Sequence, residues 1–240
     1  MSSNKTKLKN RMEIAERTMA FYLEKPPGFQ FKPGQYLDLT LVDPPEMDSQ
    51  GAVRTFSIAS APYEDDLVVA TRMRESAFKR VIARLPLGTE LKIEGPMGSF
   101  TLHKNPAKAA VFLAGGIGIT PFRSILRQAA KDKLPHLLYL FYSNRRPEDA
   151  AFLNELEELS KSNARFIFVP SMSEMERSKR EWIGERGFIN REMLAKHFCE
   201  LKGPIYYIAG PPAMVAEMQQ MLVKTGIDED DIRTEEFGRY

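Results

Sequence analysis

The sequence predicts two units of different class: an antiparallel β barrel or sandwich over residues 1–104, then a doubly wound α/β unit with a parallel sheet over residues 105–240. Three observations carry this reading. Up to about residue 103, short strand-like pieces are separated by proline and glycine clusters at the intervals expected of antiparallel strands. After Pro106 the pattern changes to apolar runs without alternation, as in strands buried on both faces, with helical stretches between them. At 240 residues the chain is long enough to fill two cores of ordinary size without staples.

In the first unit, Lys5, Lys7, Lys9 and Arg11 alternate as the solvated face of an opening strand. Further strands are expected at residues 18–23, 36–41, 55–58, 67–74 and 90–94. Pro26-Pro27-Gly28, Pro33-Gly34, Asp43-Pro44-Pro45, Leu85-Pro86-Leu87-Gly88 and Gly95-Pro96-Met97-Gly98 supply the turns between elements. One helix interrupts this half, because Ser76 is a capping residue and Phe78, Val81, Ile82 and Leu85 then recur at i, i+3, i+4 and i+7.

In the second unit, strands are expected at residues 109–114, 137–142, 165–169 and 205–209, and helices near 121–131, 147–160, 190–201 and 213–225. The stretch 109–121 is the most informative in the chain, since a buried strand runs through Gly115, Gly116 and Gly118 into a helix that Thr120 caps, with Pro121 at its first position. Free amides at a helix start attract anions, so the turn suits a pyrophosphate. A dinucleotide fingerprint counted from Gly116 needs a third glycine at position 121, where this chain has proline. The glycines alone therefore leave two readings open, a nucleotide site and a tight turn with no ligand. Gly210-Pro211-Pro212 sits at a second strand end of the same type. No low-complexity linker separates the halves, which are expected to pack together.

Composition narrows the function. Net charge is +2 from 34 basic and 32 acidic residues, which gives no basis for nucleic-acid binding. The single cysteine, Cys199, excludes an intrachain disulfide and an iron–sulfur cluster held by this chain alone. His103, His136 and His197 are far apart with no ligand spacing, so no metal is expected and the histidines read as satisfied surface residues. No apolar run approaches the ~18 residues of a membrane span and no signal peptide is evident, which points to a cytoplasmic protein.

Arg54-Thr55-Phe56-Ser57 places a cation, an aromatic ring and a hydroxyl within four extended residues. Taken alone these are ordinary strand residues. Their order along the chain is more specific. Phe31-Lys32-Pro33-Gly34-Gln35-Tyr36, Arg54-Thr55-Phe56-Ser57, Gly95-Pro96-Met97-Gly98-Ser99-Phe100, Gly115-Gly116-Ile117-Gly118-Ile119-Thr120-Pro121, Ala209-Gly210-Pro211-Pro212-Ala213-Met214 and Ile232-Arg233-Thr234-Glu235-Glu236-Phe237 resemble, in sequence order, the motifs of the ferredoxin-NADP reductase superfamily. The resemblance spans nearly the whole chain. It implies an antiparallel flavin-binding β-barrel followed by a nicotinamide nucleotide-binding domain, with the reaction at the cleft between them.

By this resemblance Arg54 would bind flavin phosphate, Thr55 beside it would belong to the cofactor-binding set, Phe56 would lie against the flavin and Ser57 would hydrogen-bond near its N5. Ser57 and Glu235 would be the catalytic pair, with Phe237 and the terminal Tyr240 over the ring face. Arg72, Arg74 and Ser76 would lie on the phosphate path, although Arg72-Met73-Arg74-Glu75-Ser76 lacks the family's glycine and Glu75 adds a charge that Arg74 could offset. Gly116, Gly118, Thr120, Pro121, Gly210, Pro211, Pro212 and Met214 would form the nicotinamide side. Ala209 stands where relatives often carry cysteine, so no thiol assists there. Pro170-Ser171-Met172-Ser173-Glu174 lacks the arginine that relatives use for a 2′-phosphate, and Glu174 would repel one; Arg145 or Arg146 could replace it, and the balance favours NADH over NADPH.

The implied activity is hydride transfer from NADH or NADPH to bound FAD, with FMN the lesser expectation, and onward passage of electrons to a separate acceptor such as ferredoxin or another iron–sulfur or flavin protein. A free-flavin reductase shares the same motif plan. A non-catalytic redox-sensing or electron-transfer subunit of a larger complex is the reading from another class.

Overall fold

The computed structural model describes residues 3–198 and 201–238; Cys199 and Tyr240 lie outside the described residues. The first unit is built on β1 (Ser3–Ala15), a long strand that pairs with two partners in succession. Its first five residues run antiparallel to β6 (Glu90–Met97) and its remainder to β2 (Thr18–Glu24). Thr6 and Leu8 turn inward, while Lys5 and Lys9 stay in solvent and pair with Glu90 and Asp66. With β3 (Tyr36–Leu41), β4 (Val53–Ser57) and β5 (Asp66–Arg72) the sheet order is β4-β3-β6-β1-β2-β5. The two outer strands are consecutive in the chain, and Ala59 N–H donates to Val68 O (2.8 Å) where they approach, so the sheet rolls into a barrel. Leu23, Leu37, Leu39, Phe56, Ile58 and Val69 fill it, and Phe78 and Ile82 of α1 (Ala77–Arg84) close one end.

The second sheet is parallel throughout, in the order β10-β9-β8-β7-β11-β12. It comprises β7 (Ala110–Gly115), β8 (Leu138–Asn144), β9 (Phe166–Met172), β10 (Glu185–Arg186), β11 (Ile205–Gly210) and β12 (Ile232–Glu236). Helices α2 (Ile119–Lys131), α3 (Leu153–Ser162), α4 (Arg191–Ala195) and α5 (Pro212–Lys224) lie between successive strands. Every residue of β7 and β11 is buried, as their unbroken apolar runs require. The chain leaves β7 toward β8 on one side and returns to β11 on the other. The strand order therefore reverses between β7 and β11, the place where open α/β sheets bind ligands.

Several elements differ from the sequence expectation. Strand β6 continues through Gly95-Pro96 to Met97, opposite a register shift between Tyr36 and Asp38, a position at which a strand tolerates proline. The helix expected at residues 147–160 is two pieces, a 3-10 turn at Pro147–Asp149 and α3, broken where Phe152 takes a left-handed conformation (φ 60°). Ser76 occupies the N-cap position of α1 without capping; the Asp48 carboxylate accepts the Ala77 N–H instead (3.1 Å). Helix α2 begins earlier than Thr120, after a 3-10 turn at Gly116–Gly118, and the Thr120 hydroxyl donates back to Ile117 O (3.0 Å). Pro121 thus lies inside the first turn. Two histidines are not on the surface: His103 and His136 are buried with rings 5.1 Å apart.

The halves do pack together. Ala20, Ala59, Val68 and Ala70 on the outer face of the barrel join one apolar cluster with Phe112, Phe122, Ile125 and Tyr142 of the parallel unit. Polar contacts cross the same seam. Arg123 on α2 donates to Ala59 O (2.7 Å), Ser124 Oγ to Ser60 O (2.6 Å), and Glu16 N–H to Glu148 O (2.7 Å).

Candidate functional site

Two cavities open beside this seam, and they share one wall residue, Phe237. The first, of about 760 Å³, is lined by Tyr36, Thr55 and Ser57 from the barrel and by Arg233, Glu235 and Phe237 from the last strand. The second, of about 560 Å³, is bounded by Arg72 and Arg74 from the barrel side and by Gly116, Asn144, Arg145 and Met214 from the strand ends of the parallel sheet. Both volumes fall in the ~300–1,000 Å³ range of small-molecule sites. Phe237 is held by its own N–H, which donates to Gly210 O (2.9 Å) and prolongs the β11–β12 pairing.

In the first cavity the extended conformation of β4 sorts its residues by face. Thr55 and Ser57 line the cavity, whereas Phe56 points into the barrel core, 4% exposed and 5.9 Å from the Phe78 ring. Phe56 therefore does not present its ring to this cavity. Ser57 Oγ donates to Glu235 Oε1 at 2.7 Å, joining the barrel to the end of the parallel sheet. Burial pushes the Glu235 carboxyl above the ordinary carboxylate range, and the Ser57 hydroxyl offsets part of that by favouring the charged form. Arg233 is fixed beneath, donating to Thr101 O (2.8 Å) with its guanidinium 5.2 Å from the Tyr207 ring.

Arg54 lies apart from both cavity linings. Its guanidinium is bonded to the Asp48 carboxylate (2.8 Å) and to the carbonyls of Gly51 (2.9 Å) and Val53 (2.7 Å), and stacks 5.2 Å from Phe78. The same carboxylate accepts from Ala77 N–H and lies 3.4 Å from Ser76 Oγ, so one anion from the chain itself occupies the corner formed by Arg54 and the start of α1. The corner is thereby seen to accommodate a negative group, which is the donor set a flavin phosphate requires. Nothing in the loop before β4 singled out Asp48 beforehand, since that stretch has no periodicity. Glu75 turns to Arg80 (3.1 Å), not to Arg74.

In the second cavity, Arg72 Nη2 donates to Asp149 O (3.2 Å) beside the glycine turn. Gly116 has φ of +54°, and a Cβ there would stand 3.4 Å from Arg72 Nη2, so a side chain at this position would narrow the approach of a ligand to the turn. Gly118 serves differently: a Cβ would meet Ala209 O at 2.3 Å, and this glycine lets α2 pack onto β11. Gly118, Thr120 and Pro121 are buried and do not line the cavity, a correction to the sequence expectation. Gly210 packs against Gly115 behind the lining, while Pro211, Pro212 and Met214 reach it. Arg145 pairs with Glu174 (3.3 Å), which also holds Arg177 (2.6 Å). Arg146 is engaged by Asp149 and Glu16 (both 2.9 Å) and does not stand in as a spare cation. Phe188, 74% exposed at the cavity margin, and the buried Asn144 carry no signal that sequence reasoning would have caught.

No group of three or more metal-ligating side chains occurs among the described residues, nor does any helix among them have the length and apolarity to cross a membrane.

Comparison with known proteins agrees with this architecture. Residues 112–220 match the profile of the oxidoreductase NAD-binding domain. The chain is 31% identical over 215 residues to ferredoxin–NADP reductase B of Sorangium cellulosum, covering 85% of this chain and 84% of that protein. It is 30% identical over 230 residues to the glycine betaine monooxygenase reductase subunit of Chromohalobacter salexigens, covering 92% of this chain and 60% of that subunit. The chain thus spans about 60% of the length of the oxygenase reductase subunits that it matches. Its fold superposes on that of a ferredoxin NADP+ reductase from Neisseria gonorrhoeae with bound FAD and NADP, with a TM-score of 0.81, 23% identity and 98% coverage of both chains.

Proposed function

Because the chain belongs to the ferredoxin–NADP reductase family, we propose that it is an NAD(P)H-dependent flavin oxidoreductase that binds FAD and passes electrons to a separate acceptor, such as ferredoxin or another iron–sulfur or flavin protein. The observation that carries this reading is the shared wall at Phe237, with a barrel-side cavity at Ser57 and Glu235 and a cationic strand-end cavity on its other side. Bound FAD would supply the chemistry that the side chains lack, taking electrons in pairs from a nicotinamide and releasing them singly.

The chain's own residues would bind, orient and handle protons. Arg54 and the amide at Ala77 would take the flavin phosphate, with the Asp48 carboxylate yielding its place. Thr55 and Ser57 would face the ring system, and Ser57 Oγ, donating to Glu235 Oε1, would relay protons between that carboxylate and the ring system. Arg72, Arg74, Arg145 and the turn at Gly116 would receive the phosphates of the nicotinamide nucleotide, and Pro211, Pro212 and Met214 its apolar faces. Phe237 would separate the two ligands. NADH is favoured over NADPH because the Glu174 carboxylate neutralises Arg145 and would oppose a further phosphate. We place the boundary between the flavin and nucleotide units at residues 104/105, in the connection between β6 and β7. One cysteine in 240 residues suits a cytoplasmic location, where thiols stay reduced.

The purified protein is expected to show a visible flavin spectrum that bleaches on anaerobic mixing with NADH, more slowly with NADPH; no bound flavin and no bleaching with either would sink the proposal. A second reading, the free-flavin reductase, is favoured by one observation: Asp48 already fills the anion corner and would weaken the grip on a flavin phosphate. Retention of flavin through gel filtration separates the two.

A further inference from the structure

Asn144 is the last residue of β8, one position beyond the Gly115–Ser143 register, and is 5% exposed. Its backbone is satisfied, the carbonyl accepting from Ser173 N–H at 3.0 Å. Its side chain is not. Both Oδ1 and Nδ2 are buried and neither makes a well-formed hydrogen bond within the protein. The neighbouring Tyr142 hydroxyl comes within hydrogen-bonding reach of the Asn144 side chain without good geometry and donates to Ala151 O (3.2 Å), and Arg72 is turned to Asp149 O (3.2 Å). A buried amide left without partners is costly, and an apolar side chain of the same volume would serve the fold better.

The amide borders the cavity that Arg72, Arg74, Gly116 and Arg145 also line. It adds one donor and one acceptor to a wall whose charged groups are Arg72, Arg74, Arg145 and Glu217, beside the open turn and an apolar side around Pro211 and Met214. The ligand group that uses all of these at once carries oxyanions and hydroxyls side by side, as the ribose and pyrophosphate of a dinucleotide do. Resting on the reading of this cavity as a nucleotide site, we propose that Asn144 is a positioning residue whose side-chain amide anchors the ribose–pyrophosphate stretch. Nδ2 donates to a phosphate oxygen and Oδ1 accepts from a ribose hydroxyl. The two hydrogen bonds withheld from the fold are made to the ligand.

The test measures ADP-ribose binding to the flavin-loaded protein by calorimetry, with thermal melts of the same samples without ADP-ribose. Asn144→Leu and Asn144→Ala are each expected to weaken ADP-ribose about tenfold. The Leu variant is expected to melt no lower than wild type and to show a raised KM for NADH with kcat unchanged. Tyr142→Phe is expected to bind ADP-ribose as wild type does. Unchanged affinity in both Asn144 variants overturns the proposal. So does a Tyr142→Phe variant that reproduces the loss, because the amide would then act through the tyrosine. Failure of the wild type to bind ADP-ribose would instead remove the nucleotide reading on which the proposal stands.

Discussion

At the scale of single residues, Glu235 concentrates the chemistry of the barrel-side cavity, and its environment makes a signed prediction. Burial raises its carboxyl in the folded protein, so the folded chain holds that proton more tightly than the unfolded chain does. Stability from this source is present below the ordinary carboxylate value of 4.5 and is lost as pH rises through the raised folded value. Glu235→Gln cannot ionise. Its melting temperature relative to wild type is expected to climb as pH rises above 4.5 and to stay level below it, and a difference that falls over that window would show the carboxylate to be the favoured form. Residues of this kind are only partly legible. Arg54 and Ser57 stand out by type and spacing and Glu235 through the family resemblance, but Asp48, which engages Arg54, arrives from a loop without periodicity.

At the scale of elements, apolar runs gave away the buried strands and concealed the peripheral ones. Strands β7 and β11 are legible because both faces are covered and every position must be apolar. Strand β12, Ile-Arg-Thr-Glu-Glu, carries no such run; it exists because an edge position asks only for backbone pairing with β11 and leaves one side of the strand uncovered. Helix α2 starts earlier than its composition suggests for a related reason. Thr120 and Pro121 have the composition of a helix opening, but the 3-10 turn at Gly116–Gly118 begins the coil earlier and buries them. Gly118→Ala tests this packing directly, since its Cβ would collide with backbone at Ala209 and neither chain segment can yield easily. A loss of about 3 kcal/mol is expected in denaturant unfolding, against little loss if α2 can shift outward.

At the scale of the whole molecule, the two units form one body because their seam is a continuous core locked by buried polar groups. Arg123 is 8% exposed at its side chain and grips Ala59 O, Glu64 and Glu155 together. Arg123→Ala is expected to cost about 2–3 kcal/mol, less than a fully buried pair would, because Arg127 remains within 3.4 Å of Glu64 and 2.8 Å of Glu155. Urea unfolding checks the magnitude, and a loss below about 0.5 kcal/mol would mark the cluster as an ordinary surface network. The bond from Ser57 to Glu235 adds a dimension of time. It joins residues 178 apart in sequence, one in the first sheet to be synthesised and one in the last strand of the second. Neither sheet can complete it alone. During refolding, far-ultraviolet circular dichroism is therefore expected to recover before flavin binding does, and the interval between the two signals measures how long the barrel waits for its final neighbour.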